Sequence, residues 1–131
     1  MSELVTTVRI YLEDTDAQGI VYHANYLKYC ERARTEFLET LGYSLAKSQK
    51  AGVYFVVFDM KLKFRRPARL LETLELRTNC TRGSEYRLTF SHEVFRADEP
   101  GPLFVAEAVV VTIDEAGKLC PLPAGLLESE A

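Results

Sequence analysis

The chain has no tryptophan, only two histidines and three cysteines among 131 residues, and no uninterrupted apolar run longer than Val53 to Phe58. Each shortage excludes a class of function. Cys30, Cys80 and Cys120 are odd in number, widely separated and without a C-x-x-C pairing, which argues against a disulfide framework or a zinc site and leaves free thiols. His23 and His92 stand in no recognisable hydrolase pattern and no G-x-S-x-G occurs, so a serine-hydrolase elbow lacks its parts. The longest apolar run is far too short to cross a bilayer, and no charged segment followed by an apolar one opens the sequence. No membrane span and a cytoplasmic location are therefore expected. A net charge of −3 and a pI near 5.4 argue against non-specific nucleic-acid binding, although a local basic run can still recognise an anionic ligand.

What remains reads as one domain over residues 1–131, since 47% hydrophobic and 27% charged residues suit a soluble fold with a modest core. Leu4 to Leu12 alternates as a strand does. From about His23 to Leu41, Tyr26, Cys30, Ala33, Phe37 and Leu41 recur at helical spacing, and Gly42 is the stop signal. After a short irregular or helical stretch at Leu45 to Lys50 comes the most strand-like segment, Val53 to Arg66. Its even positions, Tyr54, Val56, Phe58, Met60, Leu62 and Phe64, form an apolar face. The opposite face changes from Val53, Phe55 and Val57 to Asp59, Lys61, Lys63 and Arg65. A strand apolar on both sides over half its length needs cover on both, and a second subunit is the expected cover. Thr73 to Thr81 and Tyr86 to Arg96 form a hairpin, Leu103 to Ile113 reads as a central strand, and the tail from Leu119 to Ala131 reads as loop and short helix. One strand, one long helix and then four strands specify an α+β fold with a single antiparallel sheet packed on one helix.

The chemistry concentrates in Glu13-Asp14-Thr15-Asp16-Ala17-Gln18-Gly19-Ile20-Val21-Tyr22-His23-Ala24-Asn25-Tyr26, a cluster of carboxylates, a glycine and a histidine just ahead of the long helix. A helix start leaves backbone N–H groups unpartnered and carries partial positive charge, so a carbonyl oxygen lying there is polarised. A carboxylate beside it, Asp16, is placed to attack or to take a proton. A thioester suits such a site, because its carbonyl is electrophilic and its thiolate leaves readily, with no triad required. Asp14 reads mainly as a turn or capping residue. Gly19 serves a turn of positive φ, a close approach of backbone to ligand, or both. Lys61, Lys63, Arg65, Arg66 and Arg69 are either a solvated strand face or a landing strip for phosphates, and Tyr22, Tyr26 and Tyr29 are first of all packing aromatics.

The run Tyr11 to Tyr26, followed by Tyr29-Cys30-Glu31-Arg32-Ala33-Arg34-Thr35-Glu36 and by Phe64-Arg65-Arg66-Pro67-Ala68-Arg69, resembles the 4-hydroxybenzoyl-CoA thioesterase-like branch of the hotdog fold. Within that branch it looks most like the Tol-Pal-associated acyl-CoA thioesterases. The resemblance implies an antiparallel sheet of five or six strands wrapped around a long central helix, and hydrolysis of a CoA thioester to free CoA and a carboxylic acid. It implies no cofactor, coenzyme A being part of the substrate, and a homodimer or a homotetramer built as a dimer of dimers. It places the catalytic aspartate, as nucleophile or general base, at Asp16 with His23 beside it, and the carbonyl-binding amides at Tyr22 to Ala24. Gly19, Val21, Tyr22, Ala24, Tyr26, Lys61, Arg65 and Arg66 are the expected substrate contacts. Two other readings stand beside it: a hotdog hydratase or dehydratase acting on an enoyl thioester, and a non-catalytic module that binds acyl-CoA or acyl-carrier protein or takes part in cell-envelope assembly.

Overall fold

A computed structural model describes residues 3–127. The elements follow in the order β1 (Leu4–Arg9), a single 3-10 turn (Leu12–Asp14), α1 (Asn25–Thr40), α2 (Leu45–Lys50), β2 (Tyr54–Phe64), β3 (Thr73–Arg82), β4 (Arg87–Arg96), β5 (Phe104–Ile113) and β6 (Leu119–Cys120). Five strands lie side by side in the order β1-β3-β4-β5-β2, all neighbours antiparallel, and β6 adds a two-residue pairing to β5. The α+β arrangement expected from the alternation of strands around one long helix is the one observed. No helix among the described residues is long and apolar enough to cross a membrane.

α1 forms because its apolar residues fall on one stripe. Tyr26, Cys30, Ala33 and Phe37 are all buried against the sheet, and the charged Lys28, Arg32, Glu36 and Glu39 are exposed. The small side chains Cys30 and Ala33 sit at mid-helix, so the backbone approaches the strands closely there. Around the first turns, α1 packs with Ile10, Val21, Leu74 and Phe104; around the last turns, Phe37 and Leu38 pack with Leu88, Phe90 and Val110. The tail closes this second half of the core. Leu122, Leu126 and Leu127 are buried in it, and Arg82 donates to the carbonyls of Pro123 and Leu126 at 3.3 and 2.9 Å. The short helix expected in the tail is absent from its described part, where β6 and turns stand instead; residues 128–131 lie outside the described part. Burial pushes the Cys30 and Cys80 thiols up to about 12, as inert packing residues require.

β2 differs from its simple alternation. Its register with β5 pairs Val57 with Val110 and then Asp59 with Val109, leaving Phe58 as an extra, bulged residue that is 63% exposed. One inserted residue reverses the facing of everything on one side of it. Phe55 packs into the core with Met60, an odd position with an even one, so the single apolar face over Tyr54, Val56, Phe58, Met60, Leu62 and Phe64 does not exist. β2 is also an edge strand, and Val57, Phe58, Leu62 and Phe64 are exposed along it.

One polar chain crosses this apolar interior. Arg34 of α1, only 6% exposed, places Nη1 3.2 Å from Nε2 of His92 on β4, which is fully buried, and His92 Nδ1 lies 3.1 Å from Thr78 Oγ1 on β3. A guanidinium has no acceptor, so Nε2 must accept and Nδ1 must carry the hydrogen, donating it to Thr78. The second amino group of Arg34 ion-pairs with Glu31 at 2.6 Å, and the Phe90 ring stacks on the imidazole at 6.1 Å. Burial, with the Arg34 charge adding to it, drives the His92 pKa down to about 3. An unfolded chain, whose histidine titrates near its ordinary value, then binds a proton that the folded chain refuses. Stability is therefore unaffected by this group above pH ~6.5 and falls by up to about 1.4 kcal/mol per pH unit between pH ~6.5 and ~3. Urea unfolding across that range should display this slope, and His92→Gln, which cannot titrate, should flatten it.

Candidate active site

The segment between β1 and α1 is a narrow ribbon held by its own backbone. Asp14 N–H bonds Tyr11 O at 2.9 Å to close the 3-10 turn, Tyr22 N–H returns to Asp14 O at 2.9 Å, and Thr15 bridges Val21. Its tip is a tight turn over Asp16-Ala17-Gln18-Gly19. Asp16 N–H bonds Ile20 O at 2.9 Å, Gly19 N–H bonds Asp16 O at 3.0 Å, and the Asp16 Oδ1 atom accepts Gln18 N–H at 2.8 Å. Gly19 has φ +79° with nothing within 4 Å of where a Cβ would lie, so the turn itself demands the glycine, and no close neighbour does. Val21 N–H to Ala68 O (2.9 Å) and the bridge between Ile20 and Arg69 stitch the ribbon to the segment leading into β3.

The Asp16 side chain is half-buried at that tip, with one carboxylate oxygen engaged by the turn. The ribbon then runs directly into the first turn of α1. Ala24 takes the capping position with helical dihedrals (φ −71°, ψ −18°), and no side chain caps the helix. Asn25 N–H bonds Tyr22 O at 2.8 Å, while among the described residues the N–H groups of His23 and Ala24 have no acceptor. Those amides carry the positive end of the α1 dipole and are available to an oxygen atom. Tyr22 and His23 are exposed beside them, their rings 4.4 Å apart. The His23 side chain makes no hydrogen bond among the described residues; it lies edge-on to Phe64, 6.3 Å away, at the end of β2.

Beneath this surface is an aromatic floor. Tyr26 stacks on Phe104 at 4.6 Å and meets Phe64 edge-on at 5.8 Å. Tyr26 is only 3% exposed and Val21 4%, so in the single chain both are packing residues rather than the substrate contacts expected of them. The basic residues divide similarly. Lys61, Lys63 and Arg65 are exposed on the β2 face turned from α1, with Lys61 opposite Glu107. Arg66 is spent elsewhere: it ion-pairs with Glu99 at 2.7 Å and donates to the carbonyls of Pro100 and Gly101 at 3.1 and 2.7 Å, which fixes the turn before β5. Its guanidinium therefore has a structural role beside the phosphate contact expected of it.

Asp14 is likewise structural. Its carboxylate accepts Tyr11 N–H at 2.8 Å and the Asn25 amide at 3.0 Å, tying the 3-10 turn to the first residue of α1. Burial opposes its ionisation, but the bonds from Tyr11 and Asn25, the nearby Tyr29 hydroxyl and the charge of Arg32 outweigh burial and hold the carboxyl below its ordinary value. Tyr29 is buried next to this pair. Its hydroxyl lies outside ordinary hydrogen-bond geometry, and its pKa is raised by burial and by Asp14. Asn25 carries no sign of this role in the sequence, because its partner lies 11 residues away and only the fold brings the two together. Among the described residues no cluster of histidine, cysteine or carboxylate side chains is disposed to hold a metal ion.

Comparison with known proteins agrees with this architecture. The family described as the thioesterase-like superfamily matches residues 10–129. The acyl-CoA thioester hydrolase YbgC of Escherichia coli is 41% identical over 107 residues, covering 82% of this chain and 79% of that protein. Among solved structures, a probable thioesterase from Bartonella henselae superposes with a TM-score of 0.85 at 32% identity, covering 93% of this chain and all of the other. A 1,4-dihydroxy-2-naphthoyl-CoA thioesterase from Synechocystis superposes with a TM-score of 0.86 at 26% identity over 93% of this chain and 90% of its own. A carboxylate at a ribbon tip, free amides at the start of a helix cradled by an antiparallel sheet, and these relatives together make the chain a member of the thioesterase-like superfamily, a thioester hydrolase of the hotdog fold.

Proposed function

We propose that the protein hydrolyses acyl-CoA thioesters, with Asp16 as the reacting carboxylate and the His23 and Ala24 amides as the oxyanion site. The observation that carries this reading is the continuity of the ribbon. The backbone bonds that hold Asp16 also deliver the chain into the first turn of α1, where two amides lack acceptors. A thioester carbonyl oxygen lying on those amides becomes more electrophilic at carbon, and charge that develops there is stabilised. Asp16 then either adds through a carboxylate oxygen, giving a mixed anhydride that water cleaves, or removes a proton from water as the water adds. In both cases the C–S bond breaks, CoA leaves as its thiolate and the acid is released. His23, exposed beside the amides, lines the approach of the thioester.

The relatives with CoA in their names support coenzyme A as the carrier. Lys61 and Arg65 are exposed and free of the structural bonds that occupy Arg66, and Arg65 directly follows Phe64, whose ring reaches His23. They receive the CoA phosphates. The exposed apolar residues of the β2 edge, Phe58 above all, are covered by the same edge of a second copy, giving a homodimer that pairs as such or twice over.

Three measurements test these assignments. Asp16→Asn keeps an acceptor for Gln18 N–H, so it should unfold at the wild-type temperature while thiol release from acyl-CoA drops by about 10²- to 10⁴-fold. Unimpaired release would remove Asp16 from the reaction, and loss of enoyl absorbance without thiol release would mark a hydratase. In a double variant, Lys61→Ala with Arg65→Ala, KM for acyl-CoA should rise and depend less on salt at unchanged kcat, whereas Arg66→Ala should lower the melting temperature instead. Sedimentation should give at least twice the chain mass of 14.9 kDa, and Phe58→Lys should shift it toward one chain.

A further inference from the structure

α1 carries the proposed oxyanion amides, yet its grip on the sheet is mostly apolar, and burial of apolar surface has no preferred direction. Cys30 and Ala33 give the middle of its buried stripe little relief, so packing by itself resists sliding and rolling weakly. Two polar attachments supply direction. One is at the first residue, where Asn25 donates to Asp14 at 3.0 Å, two positions from Asp16. The other is Arg34, whose bond to His92 at 3.2 Å is the one side-chain hydrogen bond from α1 into the strands among the described residues. The two anchors are separated by about 14 Å along the helix and by about half a turn around it, so they hold the buried stripe from both flanks. A rod fixed at two such points can neither shift along its axis nor rotate.

We propose that Arg34, His92 and Thr78 form a positioning brace that sets the axial and rotational placement of α1, and so the placement of the His23 and Ala24 amides relative to Asp16. The brace touches no substrate; it acts through the helix. Several features of the chain fit this role better than they fit general stability. The His92 ring is oriented at both nitrogens, by Arg34 from the helix and by Thr78 from the neighbouring strand, so the fixed point is tied to two strands at once. Arg34 is held in turn by Glu31, whose side chain is 59% exposed, which keeps the guanidinium from rotating off the imidazole. Stacking of Phe90 on His92 holds the ring plane. An apolar trio would fill the same volume without aiming anything.

The inference rests on the thioesterase reading for its kinetic consequence but not for its structural one, and the experiment separates the two. His92→Phe keeps a ring of similar size and removes both bonds; His92→Gln keeps one acceptor and one donor; Thr78→Val removes only the outer bond at nearly constant volume. Each is assayed for thiol release from acyl-CoA well below its own melting temperature, and hydrogen exchange is followed at the amides of residues 22–26. Expected are a tenfold or larger fall in kcat for His92→Phe with KM changed less than threefold, a smaller fall for Thr78→Val, and recovery of most of the loss in His92→Gln. Exchange at the first turn of α1 should be faster in the same order. Wild-type kcat and wild-type exchange in folded His92→Phe, or losses that follow melting temperature alone across the three variants, would overturn the brace. Should His92→Phe fail to fold, Thr78→Val and His92→Gln decide on the same two readouts. A wild-type protein that releases no thiol would overturn the thioesterase reading while exchange still decided the brace.

Discussion

Burial of one stripe of α1 against the sheet is the interaction on which the other features depend. Phe37, Cys30, Ala33 and Tyr26 leave water together against the strands. That packing determines where the first turn of the helix emerges. It emerges beside the ribbon from β1, because Asp14 ties Tyr11 to Asn25 and because the ribbon is sewn to Ala68 and Arg69. The free amides and Asp16 thus belong to one stretch of backbone-bonded chain. On the proposed reading, peptide groups would polarise the thioester carbonyl, and no nucleophile elbow would be required.

The charged residues around the site divide into those that hold and those that are free. Arg66, Arg96, Glu72 and Glu99 form a connected set of ion pairs beneath the turn before β5. Asp14, Asn25 and Arg34 fasten α1 at its two anchor points. Asp16, His23, Lys61 and Arg65 are left with side chains directed to solvent or engaged only within a local turn. This separation matters energetically: a side chain used as a bolt cannot also be given to a ligand without breaking what it fastens, whereas an exposed one binds at the cost of its own ordering alone.

Much of the fold could be read from the residues because periodicity is a local property. The α1 stripe, the hairpin of β3 and β4 and the apolar β5 each declare their own geometry, and the structure moves their ends by only one or two residues. Where a single inserted residue changes the count, local reading fails. Nothing in Val53 to Phe64 marks Phe58 as a bulge; the register against β5 does so, by leaving it no partner. The tail misled for a related reason. Leu119 and Cys120 are too short to show alternation, and they become a strand only because the end of β5 is there to pair with them.

The motif from Asp14 to Tyr26 determined, unaided, that a carboxylate would stand ahead of a helix start, because spacing along the chain suffices to place neighbours a few residues apart. Only the tertiary structure decided what Arg34, His92 and Arg66 are for. Arg34 lies 58 residues from His92, and Arg66 lies 33 from Glu99. By composition Arg34 belongs on an exposed helix face, and His92 on either face of a strand. Their meeting in the core follows from which strands flank one another, and that is set by the sum of all the packing and pairing in the domain rather than by any short stretch of chain.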